Sequence, residues 1–341
     1  GGNNIVIGGT ASDTIDTAAD NDIVIGDSGH AQFNSDLDTL SDASHIGILR
    51  SIETITPEIG DVDTINTLEG DDIVLGGQAG DLITASTTAV HDSDIVLGDN
   101  GQVTYEEDGS ILQVTTTDAA IGGVDTIYTY SGIDIVIGGT AGDLIDSGTA
   151  NGGDTHRDII LGDSGTANFD HEGRIDEIFS IDTDIGDDDV ITTGGGNDIV
   201  IGGTAQDTIT TESGDDIVLG DSGHATFNSD LDTLSDASHI GILRSIETIT
   251  PEIGDNDTIT TDEGDDIILG GQANDIIISR LGDIVDHDIV LGDNGQVTFE
   301  EDGSILQATT YVAHIGGSDT IETGNGEDIV IGGTADDLID T

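Results

Sequence analysis

The chain has 341 residues, with 71 Asp and Glu against 5 Lys and Arg, a formal charge of −66. Negative charge this dense excludes nucleic acid and anionic membrane surfaces as partners. Cys, Met and Trp are absent, which removes disulfides, thiolate metal sites and cysteine nucleophiles, and no apolar run has the length of a membrane span, so no membrane insertion is expected.

Charge of this kind with 3% aromatic residues is the usual mark of a disordered tail. Two features oppose that reading. Hydrophobic residues make up 34% of the chain, mostly Ile, Val and Leu in short regular runs. The acids comprise 56 Asp but only 15 Glu, and short carboxylates in Gly-rich turns suit calcium.

The chain matches itself at an offset of 194: the segment Asp27 to Gly60 recurs at Asp221 to Gly254 with the single change of Gln32 to Thr226. Residues 1–194 therefore form one copy of a long unit and 195–341 part of a second, within one continuous solenoid over 1–341. The sequence reads as a piece of a longer array. Inside this unit runs a period of nine, in which a six-residue turn ends in Asp and a three-residue strand with an apolar centre follows.

This period resembles the nonapeptide of RTX calcium-binding β-rolls, and the resemblance implies that neighbouring nonapeptides fall in opposite sheets, so that strands of one sheet differ by about eighteen residues. One set follows Asn4, Asp22, Asp72, Asp94, Asp134, Asp158, Asp198, Asp216, Asp266, Asp288 and Asp328 and reads I-V-I, I-V-L or I-I-L. The other follows Asp13, Asp63, Asp81, Asp125, Asp143, Asp189, Asp207, Asp257, Asp275, Asp319 and Asp337 and reads T-I-D, T-I-N or L-I-T. Since the central residue faces in and the flanking two face out, one outer face is apolar and the other mostly polar.

An apolar stripe of that length needs a cover. After every second strand of the apolar set comes G-D-x-G, with its Asp at 27, 99, 163, 221 and 293, followed by a long excursion. The inserts span 28–60, 100–122, 164–186, 222–254 and 294–316. Each has an aromatic four residues after its first Gly (Phe33, Tyr105, Phe169, Phe227, Phe299) and Ala or Val two before it, and most then have a turn such as EEDGS at 106–110 or DHEGR at 170–174. This is a hairpin pattern, and the expectation is that the hairpins fold back over the apolar sheet as a third layer.

Some 22 of these nonapeptide-like units occupy more than half of the chain. The motif resembles the RTX nonapeptide G-G-x-G-x-D-x-U-x of calcium-binding parallel β-rolls. The resemblance implies an all-β, right-handed parallel β-roll, with several calcium ions between neighbouring turns held by backbone carbonyls and by the Asp of each turn. The 21 turn aspartates in the two sets above are the expected metal ligands. Asp27, Asp99, Asp163, Asp221 and Asp293 are further candidates, either as ligands or as caps of the hairpin entry. The chain departs from the family pattern at the fourth turn position, where Ala11, Ala79, Ala141, Ala205, Ala273 and Ala335 replace Gly and put a φ > 0 requirement in question. Other turns start with Thr (Thr17, Thr67, Thr211, Thr261), and Asn4 replaces one Asp. Calcium is therefore expected at many turns but not all.

No catalytic set is read. The nine His are scattered without ligand spacing, GDSG lacks the context of a nucleophile elbow, and the glycosylation-like Asn256-Asp257-Thr258 places its Asp in the ladder. Outward Thr14, Thr64, Thr126, Thr208, Thr258 and Thr320 alternate with Leu82, Leu144, Val190, Ile276 and Leu338, which breaks a regular Thr array of the ice-binding kind. The leading expectation is a calcium-dependent structural rod outside the cell, of roughly 50 Å at the observed strand spacing of β-sheets; the family resemblance implies a bacterial origin and type I export, with folding outside the cell. It would serve in an adhesin stalk, a surface layer or a fibre, and its partner would be copies of itself or the continuing chain, with surface glycans as a further possibility. The alternatives are a secretion module of an enzyme and a carbohydrate- or ice-binding surface.

Overall fold

A computed structural model describes residues 2–35, 43–86, 92–148, 154–229, 234, 241–280, 285–312 and 314–341. The turn aspartates punctuate the chain as the period requires. Strands of the apolar set, three to five residues long (Ile5–Ile7, Ile23–Ile25, Ile73–Leu75 and onward to Ile329–Ile331), stack into an eleven-stranded sheet. The polar set (Thr14–Asp16, Thr64–Asn66, Leu82–Thr84 and onward to Leu338–Asp340) builds a second sheet of eleven strands. Pairing within both is parallel and in register, as in Ile23↔Ile73 and Thr14↔Thr64. This is a parallel β-roll, with successive strands alternating between the sheets.

The central strand residues meet between the two sheets. Val24, Val74, Val96 and Val200 from the first pack on Ile65, Ile83, Ile127 and Ile209 from the second, all fully buried. Flanking residues then decide the outer faces. In the second sheet, Leu82, Leu144, Val190, Ile276 and Leu338 share one exposed row with the Thr residues. In the first sheet the same positions include Ile95, Ile135, Ile159, Ile199 and Ile289, which are buried, and on the other flank Ile25, Leu75, Leu97, Ile137, Leu161 and Leu219 are buried as well.

Their cover is the third layer. Five hairpins (Gly29–Phe33 with Leu49–Thr54, Gly101–Tyr105 with Ile111–Thr116, Gly165–Phe169 with Ile175–Ser180, Gly223–Phe227 with Leu243–Thr248, Gly295–Phe299 with Ile305–Thr310) lie over the first sheet. Ile52, Val103, Val114, Ile178, Ile246 and Val297 pack down onto the apolar stripe. The hairpins also pair with one another, so the layer is a single antiparallel sheet of ten strands. A register shift precedes each aromatic, and Tyr105, Phe227 and Phe299 are buried while Phe33 is exposed.

Local backbone conformation matches these demands. The tips at 106–110, 170–174 and 300–304 close on Gly109, Gly173 and Gly303 at positive φ. Each hairpin leaves through a residue in the left-handed region: Thr56, Asp118, Asp182, Thr250 or Val312. Five of the six alanines at the fourth turn position meet the φ > 0 requirement, Ala79, Ala141, Ala205, Ala273 and Ala335 adopting φ of 70–78°, whereas Ala11 in the first coil does not. An L-residue there bears a steric cost of about 1–2 kcal/mol.

Candidate metal centre

The roll has two edges. Turns on the first edge lead from the first sheet to the second and end at Asp13, Asp63, Asp81, Asp125, Asp143, Asp189, Asp207, Asp257, Asp275, Asp319 and Asp337. Turns on the second edge lead back and end at Asn4, Asp22, Asp72, Asp94, Asp134, Asp158, Asp198, Asp216, Asp266, Asp288 and Asp328. An Asp two residues before an inward-facing strand centre also points inward, so each carboxylate lies at the end of the core. Most are buried: Asp63, Asp72, Asp125, Asp134, Asp158 and Asp207 have no exposure, and only Asp13, Asp328 and Asp337, near the outermost coils, are more open.

Both edges form continuous hydrogen-bonded ladders. On the first edge the amide of each Asp donates to Oδ1 of the Asp one coil on, from Asp13 to Asp63 and so to Asp337, at 2.6–3.1 Å. The second edge does the same from Asn4 to Asp328, at 2.7–3.1 Å. The carboxylates of adjacent coils are thus stitched through amides, a linkage that the spacing of nine does not reveal.

Oδ1 is satisfied, but Oδ2 mostly is not. On the first edge, Oδ2 of Asp63, Asp81, Asp125, Asp143, Asp189, Asp207, Asp257, Asp275 and Asp319 is buried without any hydrogen-bond donor. On the second edge the same holds for Asp22, Asp72, Asp94, Asp134, Asp198, Asp216 and Asp266. Charged oxygens buried in this way are costly unless compensated. Their titration reflects it. Burial, reinforced by neighbouring carboxylates, pushes Asp63 up to about 6, Asp81 to about 8, and Asp94 and Asp275 to about 9. Asp125, Asp158, Asp189 and Asp207 are raised well above the ordinary carboxylate range for the same reasons.

The G-D-x-G aspartates hold a second position. Asp27, Asp99, Asp163, Asp221 and Asp293 are buried on the first edge, each beside the next coil's GG turn. Asp99 accepts from the Gly123 amide at 2.9 Å, where its hairpin returns, and from the Thr140 amide at 2.5 Å in the following coil. Asp293 binds Gly317 and Thr334 in the same way. Asp163 accepts from the amide and hydroxyl of Thr204, while Asp27 and Asp221 take the amides of Gln78 and Gln272. The cap reading of these residues therefore has a concrete form, a tie between the hairpin's base and the roll. Oδ1 of Asp27, Asp163 and Asp221 still lacks a donor.

Three buried acids escape the period of nine. Asp92, Asp154 and Asp286 sit in the longer turns of the second edge, at 3–5% exposure. Asp92 and Asp154 accept from Gly70 and Gly132 one coil back, at 2.9 and 3.1 Å. The only sequence signal is D-x-D at 92–94 and 286–288; Asp154 has none. Among the histidines, His30 and His156 each meet a single acid and His224 lies between Glu177 and Glu247; His91 and His239 lie outside the described residues.

The available donors are hard oxygens, which suit calcium with its six to eight oxygen ligands. Among the described residues no three carboxylate or imidazole side chains converge on one point, so an ion here requires backbone carbonyls beside one or two carboxylates. The turns supply them. At each GG or G-D start on the first edge, a Cβ added to the Gly would lie less than 3.0 Å from both the Oδ2 of that turn's Asp and the carbonyl oxygen of the next coil's Gly, as at Gly26, Gly98, Gly162 and Gly220. These residues fit the ion, and when bound it would neutralise the orphaned carboxylates and join neighbouring turns.

A family model described as RTX calcium-binding nonapeptide repeat (4 copies) matches residues 1–32, 60–86, 184–209, 192–227, 254–283 and 316–341. No curated protein matches the chain. The repeating Asp turns, the in-register parallel roll and this match together make the chain a calcium-binding repeat protein of the RTX nonapeptide family.

Proposed function

We propose that this chain is a calcium-dependent structural rod that works outside the cell, as a stalk, surface-layer or fibre element, and folds there on meeting calcium. The observation that carries the reading is the pair of buried Asp ladders. With deprotonated carboxylates stacked at every coil, the ion-free roll is electrostatically disfavoured at neutral pH, and divalent ions offset this only in the folded state. Calcium-poor cytosol would thus keep the chain loose, and a calcium-rich exterior would fold it. A shape of stacked coils suits a mechanical role, with copies of itself or further repeats as partner. No helix of the described residues is long and apolar enough to cross a membrane.

Small-angle scattering of the chain tests the shape and its dependence together. An elongated, compact particle in millimolar calcium and an expanded chain in chelator are expected. The same compact profile in both solutions would contradict the coupling, and a globular profile in calcium would contradict the rod.

A further inference from the structure

The two edges differ consistently at the first residue of each turn. On the first edge it is always Gly, from Gly8 to Gly332, and on the second it is Thr, Ser or Ala, from Thr17 to Thr323. Because the strand alternation continues one residue into the turn, this side chain points inward beside the turn's Asp. Thr67, Thr129, Thr193, Thr211 and Thr261 are accordingly without exposure.

The consequences are opposite. On the first edge the absent side chain leaves a notch lined by the Asp Oδ2 and the next coil's carbonyl oxygen, repeated from Gly8 to Gly292. On the second edge a side chain, a hydroxyl everywhere but at Ala85, occupies that space, and in several turns the hydroxyl donates to one of the two oxygens. Ser147 donates to Asp158 Oδ2 at 2.6 Å, Ser279 to Asp288 Oδ2 at 2.6 Å and Thr323 to Asp328 Oδ2 at 2.8 Å. Thr67 instead donates to the carbonyl of Ala85, the next coil's first turn residue, at 2.9 Å. Thr129, Thr193, Thr211 and Thr261 face their carboxylates without a formed hydrogen bond, but still fill the space. A side chain in that space displaces an ion, and at Ser147, Ser279 and Thr323 it also satisfies a carboxylate oxygen that would otherwise ligate one.

We propose that the roll is loaded asymmetrically: calcium occupies the first edge, the one from which every hairpin departs, and on the second edge the inward Thr and Ser side chains fill the space that an ion would take. The inference rests on the calcium reading given above. It also gives the hairpin-base aspartates a purpose, since the ion-bearing edge is the one that Asp99 and Asp293 tie to the hairpin layer. Calcium would then lock the third layer to the roll along one side.

Counting bound ions tests this. The chain is equilibrated with calcium near neutral pH, and ions per chain are read by native mass spectrometry, with circular dichroism confirming the fold. Two double variants are compared with the wild type, each keeping an Oδ1 acceptor for the ladder: D189N/D207N on the first edge and D198N/D216N on the second. The first-edge variant is expected to lose ions while the second-edge variant keeps the wild-type number. Equal losses from the two edges would overturn the asymmetry while leaving the calcium reading intact; a wild-type chain that holds no calcium would overturn both. Should the first-edge variant not fold, T193G/T211G decides, because opening the second-edge notch should add ions, and an unchanged count would contradict the proposal.

Discussion

The two sheets of the roll are made from the same nonapeptide, share one core and differ most in the residues on either side of each strand's centre. Where those are Ile, Val and Leu, the face is roofed by a ten-stranded antiparallel sheet; where they are Thr, Asp and isolated aliphatics, it stays bare. Both have eleven parallel strands in register, so the difference lies in side-chain chemistry. Removal of apolar surface from water, at roughly 25 cal/mol per Å2, is reason enough for five inserts to fold back over one sheet and not the other.

The comparison breaks most sharply at a buried flank. Leu161→Asp places an unpaired charge beneath the hairpins and is expected to cost more than about 4 kcal/mol, seen as loss of the folded baseline in calcium. Leu97→Ala, in the same layer, should cost about 2–5 kcal/mol in urea denaturation. Leu82→Ala on the bare sheet, where the side chain is 40% exposed, should stay within about 1 kcal/mol. Equal costs for these two alanine variants would show that the third layer does not bury the first sheet in solution.

Protonation sharpens the picture of the edges. The ladder carboxylates have folded-state pKa values raised from 3.8 to about 6 at Asp63, Asp72 and Asp198 and about 8 or 9 at Asp81, Asp216 and Asp275. A raised value means that the folded, ion-free roll binds protons more tightly than the unfolded chain. Its stability is therefore greatest below about pH 4 and is lost as pH rises through about 6 to 9. In chelator, the β-sheet signal should survive near pH 4 and vanish by about pH 8; in calcium it should persist at both. A signal that instead strengthened with rising pH in chelator would contradict the burial of these groups.

The smallest expected effect is at the fourth turn position. Ala205→Gly relieves the positive φ of 76° and should gain about 0.5–1 kcal/mol after the extra freedom of glycine in the unfolded chain is counted.

Much of this was legible in the sequence because a rigid period constrains everything at once. A spacing of nine fixes which strands share a sheet, and an outward I-V-I has to be covered. What stayed hidden is what period alone does not encode. The pairing of one hairpin with the next, as Val103 with Ile52, joins residues about fifty apart whose turns do not announce each other. The amide-to-Oδ1 stitching is a rotamer outcome. Asp92, Asp154 and Asp286 sit in turns of irregular length, where register with the ladder is lost. The left-handed alanines show the reverse error, a residue preference that tertiary constraint overrides.

The account rests on buried carboxylates that require a cation at neutral pH. The most direct measurement is far-UV circular dichroism of the chain at neutral pH, first in chelator and then titrated with calcium. The account predicts an unfolded spectrum that converts cooperatively to a β-sheet spectrum as calcium is added. A β-sheet spectrum already complete in chelator and unchanged by calcium would contradict it.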